Sequence, residues 1–388
     1  MSTLTTVLGR IDSGSLETVL AAETLLCAPA DDPGPCGRPA TDAAFERAPV
    51  TMERLGRLML GAENRDDRTL AGADAEAALD GLAATVSHGA LTGDVSHGAH
   101  TGNGRPVPRP AAAVVVLAGR GSTATPALLA ALSRASGVAL VRGVDGSQGP
   151  HGAACGAAPE LVAERIAAAL CAAEHAAGAV GALPLPAPDP AADPADAARI
   201  EAAAGAARAA GAALVLAPRE DPWGIAIADE PGRGSLLRAL AAVDAAGLER
   251  DRVILGGAAA CIARRDGRGA PLAGVDPARL DALLGLGTAI CFDDLGRIPN
   301  VRTAVSDHDV ALAVLRAAER GDASRILLSS GIRNKHRLTA YGGTGLEFVP
   351  ERFLPYLRGL GANDALLRAV GGANAAGVLA RATTEQTS

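Results

Sequence analysis

The sequence predicts an α/β protein, a (β/α)8 TIM barrel formed as one domain over residues 1–388, and three observations carry that expectation. Short β-branched or leucine-rich runs alternate with long segments rich in alanine, leucine and arginine at helical period, which is the pattern of βα units around a parallel sheet. Eight such runs can be traced, the number that closes a barrel. The doubly wound alternative lacks its signatures: no GxGxxG follows the first strand, and no phosphate-binding loop ending in Gly-Lys-Ser/Thr occurs.

The expected strands are 18–20, 113–117 (AVVVL), 138–141 (VALV), 179–183, 212–216 (AALVL), 252–255 (RVIL), 288–292 (TAICF) and 325–328 (RILL). Helix-compatible sequence follows at 126–136, 159–177, 194–210, 234–246, 277–286 and 307–321. Residues 27–110, between the first two strands, are too long for an ordinary connection. They are expected to carry helices of their own, at 51–60 and 73–84, and to cover one end of the barrel. Within them, 87–110 is Gly/His-rich with a crude repeat and reads as a mobile loop. Its histidines, His88, His97 and His100, offer a weak metal site, because a glycine-rich tract supplies nothing to orient the rings.

Composition narrows the function classes. Of 388 residues, 48% are hydrophobic and 20% charged, enough to bury a large core, so extended disorder is excluded as a whole-chain description. The net charge of -7, without a basic stretch, argues against a nucleic-acid partner. No apolar run is long enough for a membrane span and the start resembles no signal peptide, so the expectation is a cytoplasmic protein without membrane partners. Six scattered cysteines form no CxxC pair and are expected as free thiols, with Cys291 a small core residue. The chain contains one lysine, Lys335. In a sequence where arginine has replaced lysine elsewhere, the survivor is either a site needing a compact ammonium or the last replaceable lysine left by chance.

Three segments carry a family resemblance. TTVLGRIDSGSLETVLAAETLL at the start, APVTMERLGRLMLGAENRDDRTL after it, and SSGIRNKHRLTAYGGTGLEFVPERFLPYLRGLGANDALLRAVGGANAAGVLA near the end resemble, in order, the phosphotriesterase family of the amidohydrolase superfamily. The YGGxG segment with its upstream lysine is the most specific part. The resemblance implies a TIM barrel whose mouth holds two divalent cations that activate water, and it implies a homodimer.

It also implies ligands that this chain does not have. The family's first-strand histidine pair falls on Ala22 and Thr24, flanking a retained Glu23. Its bridging lysine falls near Pro184, its next histidines near Ala217 and on Gly257, and its last-strand aspartate on Gly331. These residues offer a metal almost no side-chain donor. A register slip does not rescue the set, since no histidine occurs before residue 88 or between His175 and His308. The expectation is therefore a divergent member with no metal ligands and no cofactor.

Reading along the strand ends, Lys335, Asp293 and Glu23 are the candidate catalytic residues. Lys335 would serve as an acid or clamp, or as a base if burial lowered its pKa. Arg142, Arg219, Trp223, Ser330, His336 and Tyr341 are candidate substrate-binding residues, the arginines through bidentate pairing with a carboxylate. The leading expectation is a metal-independent lyase, cyclase or hydrolase acting on a small molecule of specialised metabolism. A non-catalytic protein binding a ligand or partner, and a metallohydrolase with unrecognised ligands, stay open beside it.

Overall fold

The computed structural model describes residues 2–28, 40–87, 110–119, 121–146, 157–187, 189, 191, 193–218, 230–267, 270–300 and 303–382. The chain starts with a hairpin, β1 (Ser2–Thr6) and β2 (Gly9–Asp12), then enters the barrel with β3 (Thr18–Glu23). Helices α1 (Ala40–Glu46), α2 (Leu55–Met59) and α3 (Gly72–Ser87) occupy the long insertion. From there strand and helix alternate: β4 (Ala112–Val116), α4 (Pro126–Ser136), β5 (Ala139–Val144), α5 (Pro159–Leu170), β6 (Ala179–Pro184), α6 (Asp196–Ala210), β7 (Ala213–Ala217), α7 (Glu230–Ala245) and β8 (Val253–Leu255). A short α8 (Ala258–Ile262) and a hairpin, β9 (Ala263–Arg265) with β10 (Pro271–Val275), interrupt the rhythm. It resumes with α9 (Pro277–Leu284), β11 (Ala289–Phe292), α10 (Asp307–Glu319) and β12 (Ile326–Leu328). The end of the chain folds as α11 (Leu354–Gly359), α12 (Asp364–Arg368), α13 (Asn374–Leu379) and β13 (Arg381–Ala382).

The eight parallel strands run in the order β12-β11-β8-β7-β6-β5-β4-β3, with helices outside: the expected (β/α)8 barrel, nearly closed. Local chemistry sets several boundaries. Pro126 sits in the first turn of α4 behind a Thr125 cap, and Gly137 ends that helix at φ 73. Ser306 and Asp309 form a reciprocal capping box on α10. Helix α5 stops at Leu170, short of the 159–177 stretch, and the insertion helices fall on the expected segments. The loop within 87–110, with His88, His97 and His100, lies outside the described residues from 88 to 109.

Two apolar layers follow from strand alternation. Val19, Ala113, Val115, Ala139, Val141, Ala213, Val215, Ile254, Cys291 and Leu327 fill the barrel interior. Their neighbours Leu20, Val114, Leu140, Leu214, Leu255, Phe292 and Leu328 pack outward against the helices. The terminal hairpin, which the sequence reading did not anticipate, pairs β1 with β13, and Leu4, Leu16 and Leu379 join the interior cluster. Cys27, Cys171, Cys261 and Cys291 are free, and Cys291 is fully buried as expected. No described helix is long and apolar enough to cross a membrane.

Candidate functional site at the barrel mouth

At the first strand a bulge decides where side chains point. The β3–β4 register gains one residue on β3 between Leu20 and Glu23, so Glu23 pairs with Val116, whose side chain packs outward, while both Ala21 and Ala22 join the interior. Ala22 thus faces the mouth and Glu23 turns sideways into the seam between β3 and the end of β12. There its Oε1 accepts hydrogen bonds from Ser329 Oγ (2.7 Å), Ser330 N (2.7 Å) and Gly331 N (3.0 Å), and its Oε2 from Ile332 N (2.9 Å). Ser329 Oγ also accepts from Ala22 N (3.0 Å). No backbone ladder joins β12 to β3, and this carboxyl clasp links the two strands there. Glu23 is 1% exposed. Burial raises its pKa, and the four donors offset only part of that.

The last-strand turn is built around the same clasp. Gly331 has φ 58, and a Cβ there would stand 1.7 Å from the Asp293 carbonyl oxygen. Only glycine fits. Arg337, buried beside it, donates to Leu295 O (2.8 Å), Ser330 O (2.9 Å) and Asp294 Oδ1 (3.0 Å), tying the loops after β11 and β12 together.

Asp293 continues the inward alternation of Ala289 and Cys291 and is partly buried at the mouth. Its Oδ1 accepts from Gly257 N (2.8 Å), and a Cβ on Gly256 would lie 2.9 Å from its Oδ2. Burial, with the charges of Asp294 and Glu23 nearby, pushes its pKa up to about 7. The other strand ends facing inward carry Ala22, Leu117, Gly143, Pro184, Ala217, Gly256 and Ser329. Of these positions Asp293 carries an ionisable side chain, among mostly apolar and small residues, and two residues beyond Gly143 the acid Asp145 is buried as well.

The expected constellation does not assemble. Lys335 is not beside Asp293 or Glu23: its Nζ donates to Asp66 Oδ1 (2.6 Å), lies 3.8 Å from Asp74 Oδ2, and sits 5.6 Å from the Tyr341 ring centre. Burial alone would lower the Lys335 pKa, but the hydrogen bond to Asp66 and the charges of Asp74 and Asp66 leave it raised, the opposite of what a base requires. His336 Nδ1 pairs with both Asp67 oxygens (2.9 Å each), and Tyr341 Oη donates to Asp74 Oδ1 (2.8 Å). These three residues dock the loop after β12 onto the insertion.

Arg142 lies on the outward side of β5, between Val141 and Gly143. It donates to His175 O (3.2 Å) and Ala169 O (3.4 Å), near the end of α5, so it is turned away from the mouth. Ser330 is fully buried, its N–H on Glu23 and its hydroxyl toward Gly345 O (3.4 Å). Arg219 and Trp223 lie outside the described residues. Sequence reasoning missed the partners Asp66, Asp67 and Asp74. The acidic ENRDDRTL segment, read together with the lone lysine, was the available signal.

Residues 271–375 match the model of the phosphotriesterase family. Over that segment the chain is similar to the phosphotriesterase family. The match spans the last two barrel strands, and so includes Asp293, Lys335 and the YGGxG turn. A comparison with curated proteins finds no match. Among solved structures, the fold is shared with a resiniferatoxin-binding protein from Rhodobacter sphaeroides (TM-score 0.73, 24% identity, covering 97% of this chain and 94% of that one). It is shared too with a phosphotriesterase homology protein from Escherichia coli, complexed with phosphate (0.61, 17%, 95% and 100%). A lactonase from Listeria monocytogenes has the same fold (0.64, 14%, 97% and 98%).

Proposed function

We propose that this phosphotriesterase-like barrel works without a dinuclear metal centre, as a lyase, cyclase or hydrolase on a small metabolite held in its mouth, with Asp293 giving or taking the proton. The observation that carries the reading is Asp293 itself, an ionisable group at an inward strand end, titrating at about 7. Such a carboxyl is half protonated near neutrality and suits general acid/base work.

Donor chemistry supports the metal-independent part. The residues at the strand ends do not fit a bridged metal pair: Ala22, Pro184, Ala217, Gly257 and Gly331 bring no side-chain donor, and Glu23 spends both oxygens on the clasp. The glycine at 331 cannot be exchanged for a ligand, because the Asp293 carbonyl occupies the space of its Cβ. Among the described residues no three His, Cys, Asp or Glu side chains gather as metal ligands.

A non-catalytic ligand-binding role is the second reading, favoured by the same solitude of Asp293, since acid/base catalysis usually employs a partner group. One preparation separates these readings. Protein purified from medium supplemented with zinc and manganese is expected to carry far less than one metal per chain and to retain a small molecule detectable by native mass spectrometry. Ala217→Trp, which fills the mouth, should lose that molecule. Two tightly bound metals per chain would overturn the reading. A retained molecule returned chemically unchanged after prolonged incubation would favour the binding role.

A further inference from the structure

Several carboxylates near the barrel mouth are held by cations or by several donors. Asp294 pairs with Arg297 and Arg337, Asp66 with Lys335, and Asp67 with His336, while Glu23 has its four donors. Asp293 has one backbone N–H on Oδ1 and, among the described residues, no cationic partner. The titratable groups near it include Asp294, Glu23, Cys261 and Cys291, while Arg265 lies by Cys261, and Arg333 and Arg337 lie by Glu23. A partly buried carboxyl without a counter-ion is costly, and such charges are ordinarily paired.

The surroundings say what kind of molecule would complete the pair. Leu117, Ala182 and Ala217 present apolar surface, and Ala182 and Ala217 remain partly open to solvent. Arg142 on β5 points the other way, and Arg337 after β12 is engaged by Asp294, Leu295 O and Ser330 O. Anions are therefore disfavoured at Asp293, and a phosphoester or carboxylate group finds no partner among these residues.

We propose that the mouth takes an organic amine: an apolar body against Leu117, Ala182 and Ala217, with a protonated nitrogen pairing with Asp293 Oδ2. The inference rests on the mouth being the ligand site and specifies the substrate class. In the reacting complex, the nitrogen and Asp293 share a single proton, which the carboxylate accepts from the ammonium or returns to it.

The test uses three probes of one shape: cyclohexylmethylamine, cyclohexylmethanol and cyclohexanecarboxylate, with binding read by ligand-observed NMR and calorimetry at pH 8. The amine is expected to bind at least about tenfold more tightly than the alcohol, and the carboxylate least. Asp293→Asn should erase the advantage of the amine while leaving the alcohol unchanged, and the wild-type amine affinity should decline as pH falls through 7. All binding should vanish in Ala217→Trp. Equal binding of all three probes, lost in Ala217→Trp, would overturn the amine assignment and leave the mouth as the ligand site. Binding that survives Ala217→Trp, or no binding of any probe, would overturn both.

Discussion

Glu23, buried, and Asp293, partly buried, are both acids at the end of the barrel, and their surroundings give them opposite work. Glu23 meets four donors and becomes part of the frame, whereas Asp293 meets one and stays available. The pH dependence of stability should expose Asp293. Its carboxyl ionises near 3.8 when unconstrained and at about 7 in the fold. Between those values the folded state keeps a proton that the unfolded chain has released, so the contribution of this group to stability falls as pH rises through that window and is flat above it. Asp293→Asn should consequently stabilise the protein at pH 8 by roughly 2 kcal/mol and change little at pH 4, as measured by urea unfolding at the two pH values. Glu23→Gln acts the other way. The amide can accept at one position only and presents N–H where Ile332 N–H already points, so a loss of about 1–3 kcal/mol is expected at pH 7 in the same assay. The acids themselves were visible in the sequence. Their division of labour was not, because nothing in the string AAE announces the extra residue that turns Glu23 out of the mouth.

The turn after β12 shows how tightly strand and loop are coupled. Gly331 supplies a left-handed backbone that aims three successive N–H groups, those of Ser330, Gly331 and Ile332, at one carboxyl. Gly331→Ala must relieve both the positive φ and the Cβ collision with the Asp293 carbonyl, and should cost roughly 2–5 kcal/mol in chemical denaturation. Hydrogen exchange at those three amides would rise ahead of global unfolding. The strands were legible because their β-branched and leucine runs are continuous, as befits strands buried on both faces. Arg142 marks the boundary of that legibility. A charged residue at a strand end reads as a site residue, yet one step of alternation sends its guanidinium to the end of α5 instead. The parity becomes readable only when Ala139 and Val141 are seen to face inward.

Docking of the insertion onto the loop after β12 joins segments nearly 270 residues apart in sequence. Asp67 is its hub, accepting from Asn334 Nδ2, His336 N and the His336 ring while its own carbonyl receives Lys335 N–H. Asp67→Ala should loosen 50–74 and 334–345 together, seen as coordinated gain in hydrogen exchange and a stability loss of about 2–4 kcal/mol, since several buried donors lose their acceptor. Lys335→Met removes a less buried pair and should cost about 1 kcal/mol, with molecule retention at the mouth unchanged. Loss of that retention in Lys335→Met would return the lysine to the functional site. Barrel architecture and the helices of the insertion could be read from residue order, because hydrophobic periodicity is a local property. The three-dimensional arrangement decided which of the polar residues meet: a bulge, a left-handed glycine and long-range ion pairs assign Glu23, Lys335, His336 and Tyr341 to the frame and leave Asp293 facing the mouth, because inward or outward orientation depends on register between strands that no single stretch of chain contains.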